Sequence, residues 1–365
     1  MRRFVGAALA GLGGLLLVVA VGLPLFVAPA VAKLPYTLAP CPPPPAAAPD
    51  GCLKPTVAEA SNAQVLLINA KGVNVITANL RTTVEVLPQV KLTADQQDAG
   101  KLDKNAVIWA VYQTTTIQET GEGVSSTSTE LALDRTSAEA VNWSGQWIED
   151  QNSPIQYSGL TYKFPFGTQQ RDYKIYDTDV RAASTAKFQS VENVNGVEVY
   201  HFVQQIPDTN VTVAADSMAA LLDRFAPDAK TGTVSYRNTR EVWVDPVTGA
   251  FINVRERPHQ ELHTDTGQTQ VLLDADFTYT KDTVANSAAS AKANASQLKL
   301  VTLYGPIGLG VLGLVLVVVG VLLARAPRPT TPTGAWDETL PEPRHSLRGE
   351  PGYRAADDEA PSNAR

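Results

Sequence analysis

Residues 300–324 read LVTLYGPIGLGVLGLVLVVVGVLLA, 25 residues without a charged side chain. At ~1.5 Å per residue such a run exceeds the ~20 residues that cross a ~30 Å hydrocarbon layer. It is too long and too continuously apolar for a helix inside a soluble domain. Lys299 precedes it, and Arg325 and Arg328 follow it.

The start of the chain repeats the arrangement: Met1-Arg2-Arg3, then Phe4 to Ala32 without a charge, with Pro24 near the outer end. Ala28-Pro29-Ala30 and Ala30-Val31-Ala32 offer the small residues a signal peptidase uses. The apolar core is nevertheless longer than the ~7–15 residues of a signal peptide, so a retained membrane helix is expected. Arginines before the first span and after the second mark the cytoplasmic side of each. The expectation is a two-pass plasma-membrane protein with both termini cytoplasmic. Its segments are 1–3 inside, 4–32 and 300–324 as spans, 33–299 as the extracytoplasmic domain, and 325–365 as a disordered tail. That tail is rich in Pro, Gly and both signs of charge, with almost no aliphatic residue to bury.

Between the spans, residues 33–299 carry 22 Lys and Arg against 30 Asp and Glu, a net of −8 (22 − 30). A nucleic-acid partner requires the opposite sign and is excluded. Cys41 and Cys52 flank a Pro- and Ala-rich stretch; in an oxidising compartment a local disulfide is the simplest pairing.

From Gln64 onward the sequence alternates. Val107, Trp109, Val111 and Gln113 fall on one side of a strand, Ile108, Ala110, Tyr112 and Thr114 on the other. Asn195-Gly196 sits between two alternating runs as a hairpin turn, and Asp245-Pro246-Val247-Thr248-Gly249 separates two more. QTQVLLDADFTYT reads as a last strand before the second span. Helix is sparse: 216–225, with Asp216 as cap and apolar residues at 218, 221, 222 and 225, and the Ala-rich 281–298 leading into the span. The predicted class is mainly β, an antiparallel sandwich or open barrel with one or two helices, flanked by two transmembrane α-helices.

Chemistry is sparse too. The domain has three histidines, His201, His259 and His263, and no nucleophile elbow, phosphate loop or dinucleotide fingerprint. His259, Glu261 and His263 would share one face of a strand, a donor set suited to zinc, although Arg255 and Arg257 on that face would repel a cation. Trp143, Trp147, Tyr162, Phe164 and Phe166 are candidates to line a sugar or lipid groove, or to serve as sheet core.

Tyr162-Lys163-Phe164-Pro165-Phe166-Gly167-Thr168, Asp172-Tyr173, Tyr176-Asp177, Asn195-Gly196-Val197-Glu198-Val199-Tyr200 and Val242-Trp243-Val244-Asp245-Pro246 with Thr248-Gly249 resemble the PorA family of actinobacterial membrane proteins. The resemblance covers residues 1 to about 325 and implies a role in a lipid-rich envelope. The family name implies a porin, yet the strands lack the ten-residue lipid-facing repeats of a membrane β-barrel. The expected function is therefore a non-enzymatic envelope protein, without cofactor, whose outer β domain binds or presents a lipid or lipoglycan. Its expected partners are membrane lipids and envelope-assembly proteins. The alternatives are a porin-like channel and, third, a metal-assisted hydrolase at His259, Glu261 and His263.

Overall fold

The computed structural model describes residues 2–37, 54–70 and 72–325. Cys41, Cys52 and the tail beyond 325 lie outside the described residues. Helix α1 runs Arg2–Val31 and helix α4 runs Lys281–Arg325, each containing a stretch long and apolar enough to cross a membrane. Each contains one widened turn near a proline: Leu23–Val27 includes Pro24, and Leu300–Tyr304 lies just before Pro306. A proline removes an N–H from the helical ladder, and a π-turn absorbs that loss.

The two helices pack antiparallel through glycines. A Cβ added at Gly6 would stand 2.6 Å from the Gly320 oxygen, and one at Gly13 2.5 Å from the Gly313 oxygen. Gly6, Gly13 and Ala20 are the buried positions of the first stretch of α1, and Gly313 and Gly320 those of the apolar part of α4. Small residues let helix backbones approach where lipid supplies no hydrophobic drive for helices to associate.

Among the described residues thirteen strands form one antiparallel sheet, eleven of them in the order β5-β4-β3-β2-β1-β12-β11-β9-β8-β7-β6. The strands are β1 Thr56–Asn69, β2 Gly72–Pro88, β3 Ala106–Ile117, β4 Gly123–Asp134, β5 Trp147–Ile148, β6 Tyr173–Asp177, β7 Ala182–Val194, β8 Val197–Val211, β9 Gly232–Val244, β10 Phe251–Glu256, β11 His259–Thr264, β12 Thr269–Asp274 and β13 Phe277–Tyr279. β10 pairs with β9 and β13, and β13 also with β1. The expected last strand is thus split into β12 and β13 at Ala275-Asp276, opposite the break between β10 and β11 at Arg257-Pro258. Pro258 cannot donate to a ladder, so the strand paired with β9 is interrupted there.

The sheet curls without closing into a barrel. Val107, Trp109, Leu131 and Leu133 from one end meet Ile175, Phe202, Val242 and Val244 from the other in a single core. Residues between β4 and β6 cross the gap through isolated pairings, Leu133 with Ala140, Glu139 with Leu160, and Leu160 with Ile175. The other face of β3 is covered as well: Ala106 and Ile108 pack with Leu102 and Trp143.

Helix α2, Val90–Asp98, follows Pro88 and was not foreseen from the sequence. Helix α3, Ala215–Phe225, lays Met218, Leu221 and Phe225 on Val234, Leu262 and Leu272. Its N-cap position is Ala214, without a side-chain cap, and Asp216 stands in its first turn rather than capping it. The polar first part of α4 packs Ala288 and Ala291 on Val197, Val199 and Ile252 before entering the apolar run.

Candidate functional site

Both apolar helices join the β domain beside two loops that hold one another. The first, 162–168, follows the gap-crossing segment; the second is the β9–β10 turn, 245–249. Phe164 is fully buried among Tyr173, Phe202 and Phe251, with ring centroids 5.0, 4.8 and 5.9 Å away. Phe164 N donates to the Gly249 oxygen at 2.9 Å and Gly167 N to the Val247 oxygen at 3.2 Å. The buried Asp245 carboxylate accepts from Thr248 N at 2.9 Å and Thr248 Oγ1 at 2.5 Å, which closes the turn. Gly249 has φ +73°, and a Cβ there would collide with the Phe164 carbonyl; only glycine allows so close an approach.

Lys163 is locked into this junction. Its Nζ donates to the Thr248 carbonyl and lies 3.8 Å from the Phe166 ring centroid. Burial pulls the amine down to about 7, a shift that Asp245 partly opposes. Beside it opens a shallow groove of about 560 Å³, walled by Phe166, Tyr200, Val247, Ala32 and Leu298, with Glu198 on its lining.

A second polar cluster lies deeper in the curl. Arg240 on β9 donates to Glu256 at 2.5 Å and to Gln204 Oε1 at 3.0 Å, and pairs with Asp177 at 3.4 Å. Gln204 in turn donates to the Ile175 oxygen at 2.6 Å, and Tyr236 donates to Asp177 at 3.2 Å. Burial opposes the Arg240 charge, but Glu256 and Asp177 outweigh it and hold the guanidinium above its ordinary range. Burial also raises the Tyr236 hydroxyl, helped by the neighbouring Asp179 and Asp177 carboxylates. These partners tie β6, β8, β9 and β10 together, and the arrangement is that of a structural ion-pair network.

The five aromatic residues singled out by sequence do not share one groove. Phe166 lines the junction groove, Phe164 is core and Tyr162 packs against that core. Trp143 is buried in a separate cluster, its Nε1 donating to Gln96 at 3.3 Å. Trp147 lies on edge strand β5, where its carbonyl accepts from Thr129.

His259, Glu261 and His263 do alternate along β11, but their side chains turn to different partners. His259 Nδ1 is 3.4 Å from Asp274, while His263 Nε2 is 3.0 Å from Ser235 Oγ and 3.8 Å from Glu261. Among the described residues no three His, Cys, Asp or Glu side chains converge as metal ligands. Arg255 and Arg257 are paired with Asp276 and Glu241.

The sequence reading missed the roles of Lys163, Asp245 and Arg240. Lys163 and Asp245 stood inside quoted motifs, and Arg240 was a single charge on the inward register of β9. That register, shared with Val242 and Val244, was the available signal.

Compared with known proteins, residues 5–322 match a family model described as Porin PorA. A curated protein from Corynebacterium amycolatum described as Porin PorA is 26% identical over 203 residues, covering 44% of this chain and 53% of its own length. The chain thus spans about half the length of that curated relative.

Proposed function

The chain belongs to the PorA family, and from that premise we propose that it is a porin-like membrane protein whose conduction path forms between several copies rather than within one. The comparisons favour this channel reading, an alternative at the sequence level, over the lipid-presenting one. In the proposed arrangement both termini are cytoplasmic, residues 4–32 and 300–324 span the membrane, and the β domain stands outside. No catalytic step is part of it.

The observation that carries the reading is that the described residues of a single chain enclose no lumen. Its two helices meet backbone to backbone at Gly6, Gly13, Gly313 and Gly320. Its curled sheet is filled by Phe164, Phe202, Leu131 and their neighbours. The outward helix positions, among them Leu12, Leu15, Val311, Leu314 and Val318, are exposed and apolar. A path bordered by such residues is a hydrophobic gate that conducts when wetted. Purified full-length chain in planar bilayers is expected to give stepwise conductance whose onset rises more than linearly with protein density and which disappears on deleting 300–324. Silence at every density would sink the reading.

The lipid- or lipoglycan-presenting reading retains one specific support, the apolar groove at the helix–domain junction. It is tested by lipids that stay with the full-length protein through purification; protein that carries none rules it out.

A further inference from the structure

The junction groove is not uniformly apolar. Phe166, Tyr200, Val247 and Leu298 form its wall, whereas Glu198 brings a carboxylate to it. Glu198 is exposed, at the β8 end of the Asn195-Gly196 hairpin, facing Asn193 across the ladder. Lys299 follows Leu298 directly and is also exposed, whereas Lys33, after Ala32, donates to Asn105 at 2.7 Å and is already engaged. An acyl chain alone would leave the carboxylate unmatched. An anionic headgroup would meet repulsion from Glu198, and a simple cation would meet it from Lys299.

The position of the groove narrows the occupant further. Ala32 ends the first apolar helix, and Leu298 lies just before the apolar run of the second. Aromatic side chains at such a boundary sit at headgroup depth. The occupant therefore comes from the bilayer itself, with an apolar body, a negative group within reach of lysine and a positive group able to donate to a carboxylate.

We propose that this groove binds a phospholipid bearing a primary ammonium headgroup, of the phosphatidylethanolamine type. Its ammonium donates to Glu198, its phosphate lies toward Lys299 and its upper acyl chain lies against Phe166 and Val247. A primary ammonium has three N–H donors, whereas a quaternary one has none, so the carboxylate discriminates between headgroups that share the same charge pattern. The proposal deepens the lipid-presenting reading and does not rest on conduction.

The test is native mass spectrometry of the full-length chain released from nanodiscs made with equal amounts of phosphatidylethanolamine, phosphatidylcholine and phosphatidylglycerol of identical acyl chains. The ethanolamine lipid is expected to be retained about threefold over the choline lipid, the ratio an exposed charge-assisted hydrogen bond supplies. Glu198→Gln, an exposed substitution with little consequence for folding, should bring the two to parity. Val247→Glu should reduce retention of every lipid. Equal retention of all three headgroups, or a preference that Glu198→Gln leaves intact, overturns the headgroup assignment while lipid binding stands. No lipid retained at all overturns both.

Discussion

Between α1 and α4 the contact is made by residues with almost no side chain, whereas the curled sheet is held by the largest side chains the protein has. Gly6, Gly13, Gly313 and Gly320 bring two backbones together, while Phe164, Phe202, Tyr173 and Trp109 fill the domain. The difference follows from the solvent each part meets. In water, burying a large apolar side chain contributes roughly 1.5–3 kcal/mol. In lipid that gain vanishes, and close van der Waals contact between helix surfaces replaces it. The two regions should accordingly fail in different ways.

The largest effect is expected in the sheet. Phe164→Ala empties the centre of the aromatic group and should destabilise the β domain by about 3–5 kcal/mol, read by denaturant unfolding followed through the sheet's circular dichroism. Spin labels at Phe4 and Leu322, both exposed on the helices, should keep their separation. A shift of that separation in the variant would show that the two regions are not independent. Next comes Arg240→Met, which leaves Asp177, whose side chain is 1% exposed, without its charged partner; the cost should be about 3 kcal/mol by the same measurement. A smaller, opposite perturbation is Gly13→Leu. It adds bulk where a single Cβ already meets the Gly313 oxygen at 2.5 Å and Val317 N at 2.7 Å. The label separation should widen toward ordinary helix packing at roughly 8–10 Å between axes, with an overpacking cost of about 1–3 kcal/mol and unchanged sheet unfolding.

This contrast also explains which features could be read in advance. The spans were legible because length and the absence of charge suffice, and the hairpin at Asn195-Gly196 and the turn at 245–249 because their residues fit few backbone shapes. Asn195 and Gly196 indeed take φ of 49° and 75°. The pairing of the helices was harder to see, since Gly6, Gly13, Gly313 and Gly320 are scattered among glycines that touch nothing, such as Gly11 and Gly308. The curl was hidden for another reason. It joins β3 and β4 to β6 through residues 138–162, a connection whose strand β5 is two residues long and whose sequence carries no alternation. The aromatic candidates could not be sorted by type alone, because Phe164 and Phe166 are two residues apart and differ only in which side of the loop they occupy. Helix α2 escaped because its polar, uncapped run after Pro88 has one buried residue, Thr93.

The effect most specific to a single group lies at the boundary between the two regions. Lys163 is held down to about 7 by burial despite Asp245 nearby, against roughly 10.4 for a lysine in an unfolded chain. Between those values the unfolded chain carries a proton that the folded chain has released, so stability rises with pH across that window. Below about 7 the amine is charged in both states, and the cost of burying that charge is fully present. Lys163→Met keeps most of the unbranched apolar stem, loses the Nζ contacts with Phe166 and Thr248, and has no proton to bind. The melting temperature of the variant minus that of the natural chain should be most positive near pH 6 and should shrink steadily toward pH 10. A difference that stays constant across this range would mean that the Phe166 ring and the Thr248 carbonyl keep the amine protonated in the folded state. The junction would then tolerate a buried charge beside the membrane, against the desolvation that otherwise dominates there.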